Sequence, residues 1–79
     1  MAQLRVKLVY LDDLVKRPVI FELAKAFDVS ANIRRASVED GRGWIVCELD
    51  GESTQLEGAL NWLAEIGVVV ERLQDVVES

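Results

Sequence analysis

Residues 4–10 alternate in character: Leu4, Val6, Leu8 and Tyr10 fall on one side, Arg5, Lys7 and Val9 on the other. A period of two is that of a strand with one buried face. It returns at residues 29–34, where Val29, Ala31 and Ile33 alternate with Ser30, Asn32 and Arg34. It returns again at residues 44–49, where Ile45, Cys47 and Leu49 alternate with Trp44, Val46 and Glu48. Between these two runs stands Glu39-Asp40-Gly41-Arg42-Gly43, and Asp-Gly readily takes the positive φ of a hairpin turn. Residues 28–50 are therefore predicted as one long hairpin. Its first arm loses phase at Arg34-Arg35-Ala36-Ser37, where strict alternation would turn Arg35 inward. A bulge there would restore Val38 to the core and turn the arginines outward. Alternatively the arm is a sheet edge, where inserted charge discourages pairing with other sheets. An edge strand carrying a bulge is the reading adopted.

Elsewhere the period lengthens to that of a helix. Ile20, Leu23, Ala24 and Phe27 share one face of residues 18–27, with Glu22 and Lys25 on the solvated side. Pro18 suits the first helical position, where its missing N–H costs nothing. A second helix is expected to start at Ser53 or Thr54, because Thr54-Gln55-Leu56-Glu57 has capping-box spacing. Leu56, Ala59, Leu60 and Leu63 form its buried line, and Gly67 can close it in the left-handed conformation. Gly58 costs about 1 kcal/mol relative to Ala inside a helix, so a close approach to the sheet or a neighbour is expected there. Trp62 lies off the buried line, either covering the sheet edge or partly exposed. Residues 68–73 read as a last strand and 74–79 as a fraying tail.

The order strand, helix, strand, strand, helix, strand is that of an α+β, ferredoxin-like split βαβ domain. Right-handed crossovers put both helices on one face of a four-stranded antiparallel sheet. The first and third strands lie centrally, and the hairpin's first arm at an edge. The expected organisation is a single domain, 1–79, with a core of 4–73. The helix-free face should carry Arg5, Lys7, Val9, Trp44, Val46, Glu48, Val69 and Glu71.

Composition narrows the functions this fold can serve. The 79 residues are 51% apolar, enough for one core, and the net charge of −5 is ill suited to nucleic acid. Arg42-Gly43-Trp44-Ile45-Val46 superficially resembles an RNA-recognition signature, but the outward Arg5, Lys7, Val9 and Glu48 do not make a stacking platform. There is no His, so His-based triads and the commonest metal ligand are excluded. Cys47, the single cysteine, falls on an inward strand position and is expected to pack as a small hydrophobe. Asp12-Asp13 and Glu39-Asp40 are paired carboxylates in predicted turns, where solvation of the turn is their expected role. Gly41-Arg42-Gly43 is turn chemistry, and no phosphate loop is present. Neither an enzyme nor a cofactor is expected. No apolar run reaches the roughly 18 to 20 residues of a membrane span, and the opening residues go straight into strand alternation, unlike a signal peptide. A cytoplasmic protein is expected. On the helix-free face, two-fold pairing would bury Trp44 and Val46 and match Arg5 and Lys7 with Glu48 and Glu71.

A resemblance to a known family covers almost the whole chain, from Leu4 to Leu73. It is carried by Arg5-Val6-Lys7-Leu8, Pro18-Val19-Ile20, and Phe27-Asp28-Val29-Ser30-Ala31-Asn32-Ile33-Arg34. It continues through Gly43-Trp44-Ile45-Val46-Cys47-Glu48-Leu49-Asp50-Gly51, Ala59-Leu60-Asn61-Trp62-Leu63 and Gly67-Val68-Val69-Val70-Glu71. In order and spacing these segments resemble the NIL domain, named for Asn-Ile-Leu, here Asn32-Ile33-Arg34. The resemblance implies a ferredoxin-like regulatory domain, of the kind found at the C-terminus of the ATPase subunit of methionine-importing ABC transporters. Those domains pair and bind methionine, which inhibits uptake. The chain looks like the free-standing kind, since it lacks a phosphate loop and cluster cysteines. The likeness further implies a ligand site at Asn32, Ile33 and Arg34, near the edge strand and a homodimer interface. An Asn amide, donor and acceptor together, suits an amino acid, though on a strand it can instead satisfy a nearby backbone group. Arg34 in place of Leu either captures a carboxylate or spoils an apolar pocket for a thioether. Two readings follow. One is a regulatory domain binding methionine or a related amino acid and acting on a transporter or sulfur-metabolism partner. The other is a docking module that uses Trp44, Val46 and the edge strand without a small ligand.

Overall fold

The computed structural model describes residues 2–73; the expected fraying tail lies outside them. The chain runs β1 (Ala2–Leu11), a 3-10 turn (Asp12–Lys16), α1 (Val19–Ala26), β2 (Val29–Glu39), β3 (Arg42–Gly51), α2 (Ser53–Glu65) and β4 (Val69–Arg72). The sheet order is β2-β3-β1-β4, every neighbouring pair antiparallel. The split βαβ architecture expected from the hydrophobic pattern is therefore the observed one, with β1 and β3 central and the helices on one face.

Inward phases meet in register across the sheet. Val6 faces Cys47, Leu8 faces both Ile45 and Val70, and Leu4 faces Leu49. Val6, Leu8, Cys47 and Leu49 are fully buried beneath Val19 and Leu23 of α1 and Leu56, Ala59 and Leu63 of α2. All four residues of the expected α2 line are buried. Gly58 gives the predicted close approach: a Cβ there would stand 3.1 Å from the Phe27 ring. That ring packs on Trp62, with centroids 6.2 Å apart, while the Arg17 guanidinium lies 5.9 Å over the Trp62 ring. Gly67, at φ +101°, closes α2.

Several local expectations are corrected. Pro18 is the residue before α1 rather than its first, and Val19, not Ala24, shares burial with Leu23. No capping box forms at α2, whose N-cap is Glu52. Gln55 Oε1 instead accepts the Asp28 N–H at 2.9 Å, and Glu57 accepts from Arg72 at 3.1 Å. Both side chains thus tie the helix to a neighbouring connection and strand. The register shift in β2 between Ile33 and Arg35 is the anticipated bulge, but it does not bury Val38. Val38 is 71% exposed and Ile33 50% exposed. Both have the phase of the helix side, opposite Gly43 and Cys47. The eight residues of α1 are too few to cover the far end of a hairpin whose first arm has eleven.

Candidate functional site

Cross-strand register assembles the helix-free face. Arg5 stands opposite Glu48, Lys7 opposite Val46, and Val9 opposite Trp44. On the other flank of β3, Asn32 stands opposite Glu48 and, after the bulge, Arg35 opposite Val46. The bulge is what changes this face chemically. One extra residue in β2 lets Arg34 and Arg35 follow Asn32 without either guanidinium being driven into the core.

Glu48 is the centre of this surface. Arg5 Nη2 donates to its Oε2 at 2.7 Å, and Arg34 Nη1 lies 3.8 Å from Oε1. The Arg5 hydrogen bond, reinforced by the positive charges of Arg34 and Arg5, holds the Glu48 carboxyl below its ordinary range despite partial burial. Lys7 Nζ sits 5.3 Å from the Trp44 ring centroid, in cation–π contact. Arg5 and Lys7, expected to meet acidic groups across a two-fold, thus already have partners within one copy of the chain.

Of the residues singled out from sequence, Asn32 and Arg34 come together with Arg5, Val46 and Glu48. Ile33 does not join them, because the strand pleat sends it to the opposite side. There it lines an apolar groove of about 240 Å³ between α1 and the hairpin, with Phe21, Val38, Ile45 and Tyr10. The Tyr10 hydroxyl is buried there without a hydrogen-bond partner among the described residues, and burial pushes its pKa up to about 12. Sequence reasoning missed Arg35 and Leu73 as companions of Arg34. With Arg5 and Val46 these line an open concavity of about 400 Å³. Arg35 was signalled by its break in phase. Leu73 carried no signal, since only the sheet order brings the end of β4 to this place; its N–H donates to the Arg5 carbonyl at 2.9 Å. Among the described residues no group of three or more His, Cys, Asp or Glu could hold a metal ion. Nor is any helix among them long and apolar enough to cross a membrane.

The profile of the NIL domain matches residues 4–72. The chain belongs to the NIL domain family. No curated protein matches it. Among solved structures it is similar to the C-terminal domain of an ABC transporter ATP-binding protein from Enterococcus faecalis, with a TM-score of 0.74 and 20% identity over 91% of this chain and 84% of that one. It is also similar to a de novo designed protein with a ferredoxin fold, LFR1 1, with a TM-score of 0.53 and 18% identity over 100% and 91% of the two chains. At these identities the likeness is one of fold.

Proposed function

We propose that this NIL domain is a non-catalytic regulatory module that pairs with a second copy. It binds methionine or a related small amino acid beside Asn32 and passes the signal to a transporter or a sulfur-metabolism protein in the cytoplasm. The observation that carries the reading is the family match over residues 4–72, and the site is assigned to Asn32 by its likeness to the Asn of the family's name. That residue is exposed on the edge strand, on the face of Glu48 and Arg34. The similarity to a domain of an ABC transporter ATP-binding protein supports a transporter as the partner. An amide at Asn32 can serve both groups of an amino acid, donating to its carboxylate and accepting from its ammonium.

The test is thermal unfolding at fixed protein concentration with each amino acid in excess. A ligand at a hundred times its Kd adds about 2.7 kcal/mol if it binds only the folded state. For so small a domain that raises Tm by about 10 °C or more. The expected result is a shift with methionine or its relatives that Asn32→Ala removes without lowering the unliganded Tm. No shift with any amino acid at millimolar concentration or above would overturn the ligand reading. It would leave a docking module, to be probed at Trp44 and Val46.

A further inference from the structure

The concavity on the helix-free face brings three arginines together. Arg5, Arg34 and Arg35 line it together with Val46 and Leu73. Among the described residues, the one carboxylate in ion-pair reach of these guanidiniums is Glu48, which Arg5 engages at 2.7 Å and Arg34 reaches only at 3.8 Å. Arg35 has no ion pair among the described residues, and the Arg5 Nε–H, buried, has no hydrogen-bond partner there. Among the described residues, three guanidiniums against one carboxylate leave two positive charges uncompensated, in a chain whose net charge is −5. Elsewhere Arg17 is matched by Glu22 and Arg72 by Glu57.

Edge-strand charge that only discourages aggregation needs no apolar floor and no convergence of three strands. Here the arginines come from β1 and from the β2 bulge, Val46 comes from β3, and Leu73 follows β4. Guanidinium forks bind carboxylates and other oxyanions in pairs of parallel hydrogen bonds. A single carboxylate would occupy one fork and leave the other uncompensated. We infer that this concavity binds a small organic dianion, with Arg34 and Arg35 taking its anionic groups and Val46 and Leu73 covering the short apolar spacer between them. Dicarboxylates and molecules pairing a carboxylate with a sulfonate share this chemistry. The inference does not depend on methionine being a ligand; the concavity shares Arg34 with the site proposed around Asn32, while Arg35 and Leu73 lie outside that site.

The experiment is thermal unfolding of the full chain at low ionic strength, titrated separately with succinate, sulfoacetate, acetate, sodium sulfate and methionine. Each titration is set against sodium chloride of matched ionic strength. Succinate or sulfoacetate should raise Tm saturably and acetate should not; which of the two acts more strongly separates dicarboxylate from sulfonate chemistry. Arg35→Gln should weaken the apparent affinity about tenfold or more, as expected for loss of a charge-assisted pair, and leave any methionine response in place. Arg34→Gln is the second variant, and circular dichroism confirms that both fold. The inference is overturned if neither organic dianion exceeds the chloride control. It is overturned equally if sulfate matches them or if Arg35→Gln leaves their affinity unchanged. A methionine response alone, removed by Asn32→Ala, would uphold the amino-acid proposal and sink this one.

Discussion

Glu48 gathers more of the chemistry of this domain than any other side chain. It is the register partner of Arg5 on one flank and of Asn32 on the other. Only 12% of its side chain is exposed. The Arg5 hydrogen bond lowers its pKa from the ordinary 4.5. A carboxylate with a depressed native pKa adds stability above its unfolded pKa and loses it as pH falls through the native one. The Tm difference between the native protein and Glu48→Gln should therefore be constant near neutrality and shrink on acidification below about pH 4.5, the unfolded value. A difference that holds unchanged down to pH 2 would mean that the Arg5 pair contributes nothing. The outward phase of Asn32, Arg34 and Glu48 was legible in the alternation of their own strands. The meeting of Arg5 with Glu48 required the β1–β3 register, which depends on a pairing between residues 43 positions apart.

At the scale of elements, the domain is firm at one end of its hairpin and thin at the other. Gly51 ends β3 at the firm end, buried between Ala2 and Val29. A Cβ on it would stand 2.9 Å from the Asp28 carbonyl oxygen and 3.2 Å from Val29 Cγ2. Backbone of the facing strand cannot yield as a side-chain tip can. Gly51→Ala is expected to cost about 1–3 kcal/mol in chemical denaturation. Val38→Ser, at the thin end, should stay within about 0.5 kcal/mol of the parent. Equal losses at the two positions would refute this division. Periodicity located the hairpin, the bulge and both helices, because each depends on residues close in sequence. It misjudged Val38 and Ile33, because inward phase buries a side chain only where a helix lies above it. It misjudged the α2 cap for a related reason: Glu57, expected to reach back to the cap, meets Arg72 in a segment brought near only by folding.

For the molecule as a whole, the core is one continuous cluster that includes Cys47 and Tyr10. Burial pushes the Cys47 thiol from 9.0 up to about 11, with Glu48 adding to the shift, and Tyr10 from 10.0 up to about 12. For an acid whose native pKa is raised, the unfolded chain releases its proton first, so stability must fall as pH rises through that interval. Tm is expected to decline between pH 9 and about 11, the span from the ordinary to the native thiol value. At pH 8 an aromatic disulfide reagent should modify Cys47 only as fast as the core opens, with a rate that climbs in denaturant in step with unfolding. Fast modification without denaturant would show that Cys47 is reached by a small local motion instead.

The sheet ends in two very unequal borders. β4 presents four residues and β2 eleven, and a border that long is an invitation to endless strand addition. The extra residue at Arg34 divides it into two runs, 29–33 and 35–39, that a straight incoming strand cannot follow in a single register. An added strand can thus be short and definite or it can be distorted, and a fibre built by repeating this edge would carry the fault in every layer. The same residue that crowds two guanidiniums onto one surface also keeps the open border from becoming a template.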